Sequence, residues 1–407
     1  MLNRIEAGVT APLGFAAGCA AAGIKYTGRT DMAIVYSSRV CNASGIFTKN
    51  VVKAAPVLWD KKVSEGGRAQ AVIINAGIAN ACTGEQGYKV CEETARYAGE
   101  ALGIDAENVF VASTGVIGMQ IPVDRVKNGI DLLKTAKGES IDDGHAAARA
   151  IMTTDTKPKE VAVEFTVGGK KCTMGGMCKG SGMIHPNMGT MLCFITTDAA
   201  VSSDMLHKAL LRNVEDTFNM VSVDGDTSTN DTVLLMANGM AGNDVVVSEG
   251  EDYESFCEAL HFVMLTLAKC VAGDGEGCTC LFEVTVKNAR SKAAAVTLAK
   301  SVITSPLTKA MIFGHDANCG RVLCALGYSG EDFDPYKVDV YFESAAGRIQ
   351  VMKDGMYAGF SEEKATEILS QEHVIAVCDM KDGEEQATAF GCDLTYEYVK
   401  INGDYRS

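Results

Sequence analysis

The run Lys179 to Ala200, KGSGMIHPNMGTMLCFITTDAA, changes character at a single peptide bond. Before the Gly189–Thr190 bond the chain is rich in glycine. After it, Met191, Leu192, Cys193, Phe194 and Ile195 read as a buried strand. Thr190 thus stands at the first position of that strand, where an N-terminal nucleophile would be placed. If the bond before it breaks, Thr190 gains an α-amine beside its own hydroxyl. Such an amine has an unperturbed pKa of about 7.7–8.0 and can act as the local base. Gly189 leaves the preceding carbonyl open and admits the backbone angles that an N→O acyl shift needs. The local pattern also fits a plain loop entering a strand, with Thr190 hydrogen-bonded in place.

A chain of 407 residues can bury a sizeable core, and its length suggests two lobes. Hydrophobic residues make up 47% and charged residues 22%, the balance of a soluble globular protein. No apolar run reaches the ~18–20 residues needed to span a bilayer. The stretch Leu13 to Ile24 imitates a signal-peptide core, but Gly14, Gly18 and Gly23 interrupt it and Pro12 precedes it. A glycine-rich strand and turn is expected there. The formal net charge of −15 argues against a nucleic-acid backbone or an anionic membrane as partner. None of the 15 cysteines forms the C-x-x-C pair of a zinc site. They are expected to pack as small hydrophobes in a reducing cytosol, without disulfides or metal.

The remaining pattern alternates short strands with helices. Helices are expected over Gln86–Leu102, ending at Gly103, and from Pro122 towards Leu133. Others are expected over Ile141–Met152, over Ser203–Thr217 with Ser203 as cap, and over Gly250–Cys270, Ser291–Ile303 and Ser361–Leu369. Val109–Ala112 reads as a strand feeding a Ser113-Thr114-Gly115 turn. Val161–Met174 reads as a hairpin about Gly168-Gly169. Further strands are expected at Leu281–Val286, Val338–Phe342, Arg348–Met352 and Val374–Cys378. If Cys278 and Cys280 lie in a strand, they share a face. Strands and helices mix without strict βαβ order, which favours an α+β arrangement of helices covering sheets over a doubly wound parallel fold.

Several separated motifs resemble those of the ornithine acetyltransferase (glutamate N-acetyltransferase) family of arginine biosynthesis. They are Lys179-Gly-Ser-Gly-Met-Ile-His-Pro-Asn-Met-Gly-Thr190-Met-Leu, Asn75-Ala-Gly-Ile-Ala-Asn-Ala-Cys-Thr-Gly84, Ser113-Thr-Gly-Val-Ile-Gly118 and Met152-Thr-Thr-Asp155. The others are Val223-Asp-Gly-Asp-Thr-Ser-Thr-Asn-Asp231, Asp274-Gly-Glu-Gly277, Asp316-Ala-Asn-Cys-Gly-Arg321 and the terminal Ile401-Asn-Gly-Asp-Tyr-Arg-Ser407. They occur in the family's order over essentially the whole chain, which makes the signal specific. Departures are Gly189 where alanine is usual, Ala76 and Ile78 in the asparagine motif, Cys319 where tryptophan is common and Cys280 where lysine is common.

The resemblance implies a helix–sheet–sheet–helix core with a second, C-terminal lobe. It implies self-cleavage before Thr190 into fragments 1–189 and 190–407, assembled as two early and two late fragments. It also implies a ping-pong reaction: N2-acetyl-L-ornithine acetylates Thr190, ornithine leaves, and L-glutamate takes the acetyl group to give N-acetylglutamate. Acetyl-CoA is a donor for some relatives, and no nucleotide-binding loop here decides that point. Thr114, through its hydroxyl, and Gly115, through its amide, are the oxyanion-hole candidates. Substrate contacts fall on Thr153 or Thr154, Lys179, Glu276, Asn402 and Ser407, which replaces the common threonine. Lys179 reads as a lone cation in a glycine-rich run, suited to a substrate carboxylate or to solvent. Glu276, in a mobile-looking Gly-Asp-Gly-Glu-Gly run, is assigned the substrate amine; the run lacks EF-hand spacing. Asn402 and Ser407 sit in a polar tail where disorder is the default.

Other groups have structural readings. His185 invites a Thr–His dyad but occupies a variable family position and reads as a loop residue. The Asp224–Asp231 run reads as a turn network of side chains bonding the backbone. Asn75, Asn80 and Asn318 are expected to satisfy buried backbone near the cleft. Two alternatives to the transferase are a self-processed amidohydrolase or aminopeptidase, which passes the acyl group to water, and an uncleaved binder in which Gly189 blocks maturation. On a denaturing gel, processing gives two fragments of roughly equal size that merge into one full-length band in Thr190→Ala; an uncut wild type removes the nucleophile.

Overall fold

The computed structural model describes residues 2–185 and 191–404. Thr190 and Gly189, and the tail serine Ser407, lie outside the described residues. The chain divides into two compact units. The first holds residues 2–180, 191–219 and 227–267; the second holds 181–185, 220–226 and 268–404. This spatial division differs from the expected covalent one at 189/190, because the strand after Thr190 belongs to the same unit as the strand before it.

The first unit carries a nine-stranded sheet. Its strands are β1 (Asn3–Ile5), β2 (Phe15–Ala20), β3 (Met32–Phe47), β4 (Arg68–Ile78), β5 (Val109–Val116), β6 (Lys159–Val167), β7 (Lys170–Lys179), β8 (Leu192–Thr197) and β10 (Thr232–Ala237); β9 (Val221–Ser222) is in the second unit. They run β1-β6-β7-β8-β10-β3-β4-β5, with β2 paired to β3. The expected hairpin is β6–β7, and Gly168 (φ 55°) with Gly169 (φ 72°) makes its two-residue turn. Both residues need positive φ, which is why the turn is Gly-Gly.

β8 is the predicted buried strand, and all six of its residues are buried. It lies antiparallel to β7, with Leu192 opposite Lys179, and parallel to β10, with Leu192 opposite Thr232. A strand covered on both faces reads as a continuous apolar run, which is what Leu192–Ile195 supplies. The predicted helix ends at Gly103 in the left-handed conformation (φ 70°), and spans Gly84–Leu102. Ile141–Ala150 starts with a capping box in which Ser140 and Asp143 satisfy each other's backbone N–H groups. Ser202, one residue before the expected Ser203, holds the N-cap position of helix Ser203–Val214 without a side-chain capping hydrogen bond.

Two readings change in this unit. The strand β5 does not stop at Ala112; it continues through Ser113, Thr114 and Gly115, paired in parallel with Asn75, Ala76 and Gly77 of β4. Gly115 (φ 127°) and Gly77 (φ 104°) face each other so closely that a Cβ on Gly115 would overlap the Gly77 backbone. Pairing with β4 therefore overrides the turn signal. The helix Glu251–Ala272 has the length and apolar composition to cross a membrane, but more than half of its most apolar window is buried in protein. Phe256, Leu260, Val263, Met264 and Leu267 are core residues, and Glu251, Asp252 and Glu254 occupy its first turn.

The second unit carries a seven-stranded sheet of β11 (Leu281–Ala289), β12 (Asp339–Ser344), β13 (Gly347–Lys353), β14 (Met356–Tyr357), β15 (His373–Asp379) and β16 (Glu385–Cys392) with β9. The order is β14-β13-β12-β15-β11-β16-β9. β11 pairs with β15 in parallel and with β16 antiparallel. The predicted helices appear as Lys292–Thr304 and Glu362–Leu369, capped by the Ser291 and Ser361 hydroxyls. Cys278 and Cys280 fall before β11, so they do not share a strand face. Asn318 caps the helix Cys319–Gly327 through the Arg321 N–H and is not the buried backbone partner expected of it.

The α+β expectation holds: each unit has its own mixed sheet and its own helices. Cys41, Cys193 and Cys378 pack as buried thiols among core side chains, and burial pushes the Cys41 and Cys378 thiols up to about 12. Phe194, at the centre of β8, is fully buried. Phe194→Ala is expected to cost about 3–5 kcal/mol of stability, read as a shift of the urea midpoint.

Candidate active site

Lys179 ends β7 and is buried, against the expectation of a lone or solvated cation. Its Nζ donates to Thr153 Oγ1 at 2.7 Å and to Thr114 Oγ1 at 3.3 Å, and lies 3.6 Å from Asp155 Oδ2. Asp155 is the residue that organises this cluster. Its Oδ1 accepts from Lys159 Nζ at 2.7 Å and from the Gly180 N–H at 2.7 Å; its Oδ2 accepts from the Thr153 N–H at 3.1 Å. Burial alone would raise this carboxyl. Lys179, Lys159 and the Gly180 N–H outweigh it and hold Asp155 well below the usual carboxylate range. Three predicted positions, Thr114, Thr153 and Lys179, are thus brought together. Of the two adjacent threonines, Thr153 is the one whose hydroxyl meets Lys179.

Thr114 and Gly115 sit at the end of β5, where the backbone is fixed from both sides. Asn75 accepts from the Ser113 hydroxyl at 2.7 Å and donates to the Ile78 carbonyl at 2.9 Å. Asn230 donates to the Ser113 carbonyl at 2.8 Å and to the Ala79 carbonyl at 2.6 Å. Asn80 (φ 51°) donates to the Gly87 carbonyl and accepts from the Thr83 hydroxyl. Asn75 and Asn80 therefore do what was expected of them. Thr114 Oγ1 is the acceptor in its bond with Lys179, so that bond does not use its own hydroxyl proton.

In the second unit Glu276 is buried rather than mobile. Its carboxylate accepts from Asn402 Nδ2 at 2.8 Å, and its N–H donates to the Ser181 carbonyl at 3.0 Å. Ser181 Oγ in turn donates to the Asp274 carbonyl at 2.6 Å. Gly182 lies against the Glu276 carboxylate so closely that any Cβ there would displace it. Asn402 is on the helix Tyr396–Gly403, not in a disordered tail. The Asp224 carboxylate accepts from the Met183 N–H at 2.6 Å, Ile184 at 2.9 Å and Asp226 at 3.2 Å, the turn network anticipated for this run. His185 is a loop residue beside Ser222 Oγ at 3.0 Å; burial, then Lys300, push its imidazole below the ordinary value.

Asp155, Lys159 and Asn230 were not singled out from sequence. Asp155 and Asn230 lie inside quoted motifs, and a buried lysine at the end of a strand demands a countercharge, which is the signal that could have pointed to Asp155.

The fold and the site define a two-unit α+β protein that presents a buried ammonium among hydroxyls, beside a glycine-bearing strand end. The chain belongs to the ArgJ family, whose family model matches residues 16–407. It is 49% identical over 406 residues to the arginine biosynthesis bifunctional protein ArgJ of Caldanaerobacter subterraneus subsp. tengcongensis, covering 100% of both chains. It is 51% identical over 408 residues to the protein of that name from Symbiobacterium thermophilum, again over 100% of both. The crystal structure of arginine biosynthesis bifunctional protein ArgJ from Bacillus halodurans matches with 42% identity and a TM-score of 0.50, over 53% of this chain and 99% of that one.

Asp155→Asn removes the countercharge shared by two buried lysines. Its cost is expected to be about 3–5 kcal/mol, measured by chemical denaturation. Because the folded pKa of Asp155 is depressed, its stabilisation is fully present above the unfolded carboxylate value of ~3.9 and is lost progressively as pH falls from there to the lower folded value. The difference between wild type and Asp155→Asn should therefore stay constant from neutral to mildly acid pH.

Proposed function

We propose that the protein transfers the acetyl group of N2-acetyl-L-ornithine to L-glutamate through an acetyl ester on Thr190. The observation that carries this reading is the cluster of Lys179, Thr114 and Thr153 held by Asp155. A buried, anchored ammonium suits a substrate α-carboxylate, and both amino-acid substrates carry one. The same fixed cation then serves both half-reactions.

The steps use side chains and backbone of this chain. Thr190 Oγ attacks the acetyl carbonyl carbon while the α-amine of Thr190 takes the hydroxyl proton. The carbonyl oxygen becomes an oxyanion, met by the Thr114 hydroxyl and the Gly115 N–H. Each such donor contributes about 2.7–4 kcal/mol in comparable sites. Collapse breaks the C–N bond, and ornithine leaves with the proton. Glutamate then attacks the ester in the reverse sense and departs as N-acetylglutamate, regenerating Thr190. Glu276, positioned by Asn402, is assigned the substrate amine, and Ser407 a further hydroxyl contact. The curated relatives are named bifunctional, which supports acetyl-CoA as a second acetyl donor to glutamate. Fragments 1–189 and 190–407 are read as a stable pair, two of each per assembly, in the cytoplasm.

Mixing the purified protein with N-acetylornithine and measuring intact mass tests the covalent step. The 190–407 fragment should gain about 42 Da, one acetyl group, and lose it on addition of glutamate. Absence of the adduct in wild type, or its presence in Thr190→Ala, rejects the mechanism. Release of free acetate in place of N-acetylglutamate would favour the hydrolase.

A further inference from the structure

Beyond the acetyl-transfer residues, the second unit gathers three cysteines around a buried lysine. Cys392 ends β16, opposite Leu281 at the start of β11. The chain leading into β11 folds back on this point. The Asp393 carboxylate accepts from the Thr279 N–H at 2.9 Å, the Thr279 hydroxyl at 2.6 Å and the Cys280 N–H at 3.4 Å. Cys278 Sγ donates to the Gly273 carbonyl at 3.4 Å. Gly275 packs so that a Cβ there would lie 2.7 Å from Cys392 Sγ. The Gly275 carbonyl accepts from the Cys278 N–H at 3.0 Å, so Cys278 and Cys392 flank the same glycine and sit on either side of one short turn.

Lys309 completes the arrangement. It is 4% exposed, its Nζ donates to the Cys392 carbonyl, and Cys392 Sγ lies 3.6 Å away. An ammonium at that distance favours a thiolate, the nucleophilic form of cysteine. The neighbouring Cys278 side chain lowers the Cys392 pKa most; burial opposes this and Lys309 adds to the lowering. Cys278 keeps its proton and is the partly exposed member, so it is the side from which a small oxidant arrives. Cys193 and Cys378 differ: both are fully buried, and burial alone raises their thiols.

We propose that Cys278 and Cys392 form a modification site, a dithiol that hydrogen peroxide closes to a disulfide. In the overall step the peroxide O–O bond breaks and the S–S bond forms. Both sulfurs are oxidised, both peroxide oxygens are reduced, and the two thiol protons leave in two molecules of water. The bond would tie the segment carrying Asp274 and Glu276 to the end of β16. The proposal rests on the thiols alone and stands or falls independently of the acetyl-transfer reading.

The test treats the purified full-length protein with graded hydrogen peroxide, blocks free thiols after denaturation, and maps peptides without reduction. The expected result is a cross-linked peptide pair holding Cys278 and Cys392 that dithiothreitol releases, while Cys193 and Cys378 remain alkylated. In Cys278→Ser the cross-link disappears and Cys392 is recovered alkylated or as a higher oxide. The proposal is overturned if Cys278 and Cys392 both stay alkylated at doses that oxidise the exposed Cys82 and Cys324, or if Cys278 joins Cys280 instead. Wild-type mapping decides the matter even if the variant fails to fold.

Discussion

The shared carboxylate of Asp155 is the interaction on which the site depends. Two lysines, Lys159 and Lys179, are buried at the start of β6 and the end of β7, adjacent antiparallel strands in which Lys159 pairs with Cys178. Each ammonium would be unfavourable there alone. One anion between them, anchored by the Gly180 and Thr153 amides, makes both tolerable and fixes where Lys179 points. The loop carrying Thr153 and Asp155, which follows the capped helix, is tied to the strand end by the same group. A single carboxylate thereby positions a cation, two hydroxyls and the entry to the segment that follows β7.

The backbone around Thr114 shows a second kind of preorganisation, built from amides rather than charge. Asn75 and Asn230 hold the carbonyls and hydroxyl of the β5 end, and two glycines let β4 and β5 approach closer than side chains would permit. Donors fixed in this way need little reorganisation when charge develops nearby. Rigidity here comes from side-chain amides and hydroxyls that bond the local backbone, which is also how the buried loop of Glu276 is held.

Much of the fold was legible because the signals are local. The αL glycine at Gly103, the Gly-Gly hairpin, the Ser291 and Ser361 caps and the apolar run of β8 each encode their structure within a few residues. The motif residues Thr114, Thr153 and Lys179 were legible as a set only through resemblance. What the sequence concealed depends on contacts between distant segments. Lys179 looked solitary because Asp155 lies on a separate loop; Ser113-Thr114-Gly115 looked like a turn because Gly77 was not known to be opposite it. Glu276 and Asn402 looked mobile for the same reason, since each is ordered by the other. Ser203 is the first residue of its helix rather than the cap, and Ser202 before it makes no side-chain capping bond that a sequence pattern could signal.

The strand order of the large sheet bears on what scission before Thr190 would leave behind. β8 and β10 come from the later part of the chain, yet they are flanked on one side by β7 and on the other by β3, both from the earlier part. A break at that bond would give two polypeptides woven through one another, not two lobes joined at a seam. Pulling them apart would strip hydrogen-bonding partners from four strands at once and open the core between them. The nine-stranded sheet is complete in neither piece, whereas the seven-stranded sheet lies wholly in the later one, so a cut at that bond would have to follow the folding of the larger sheet.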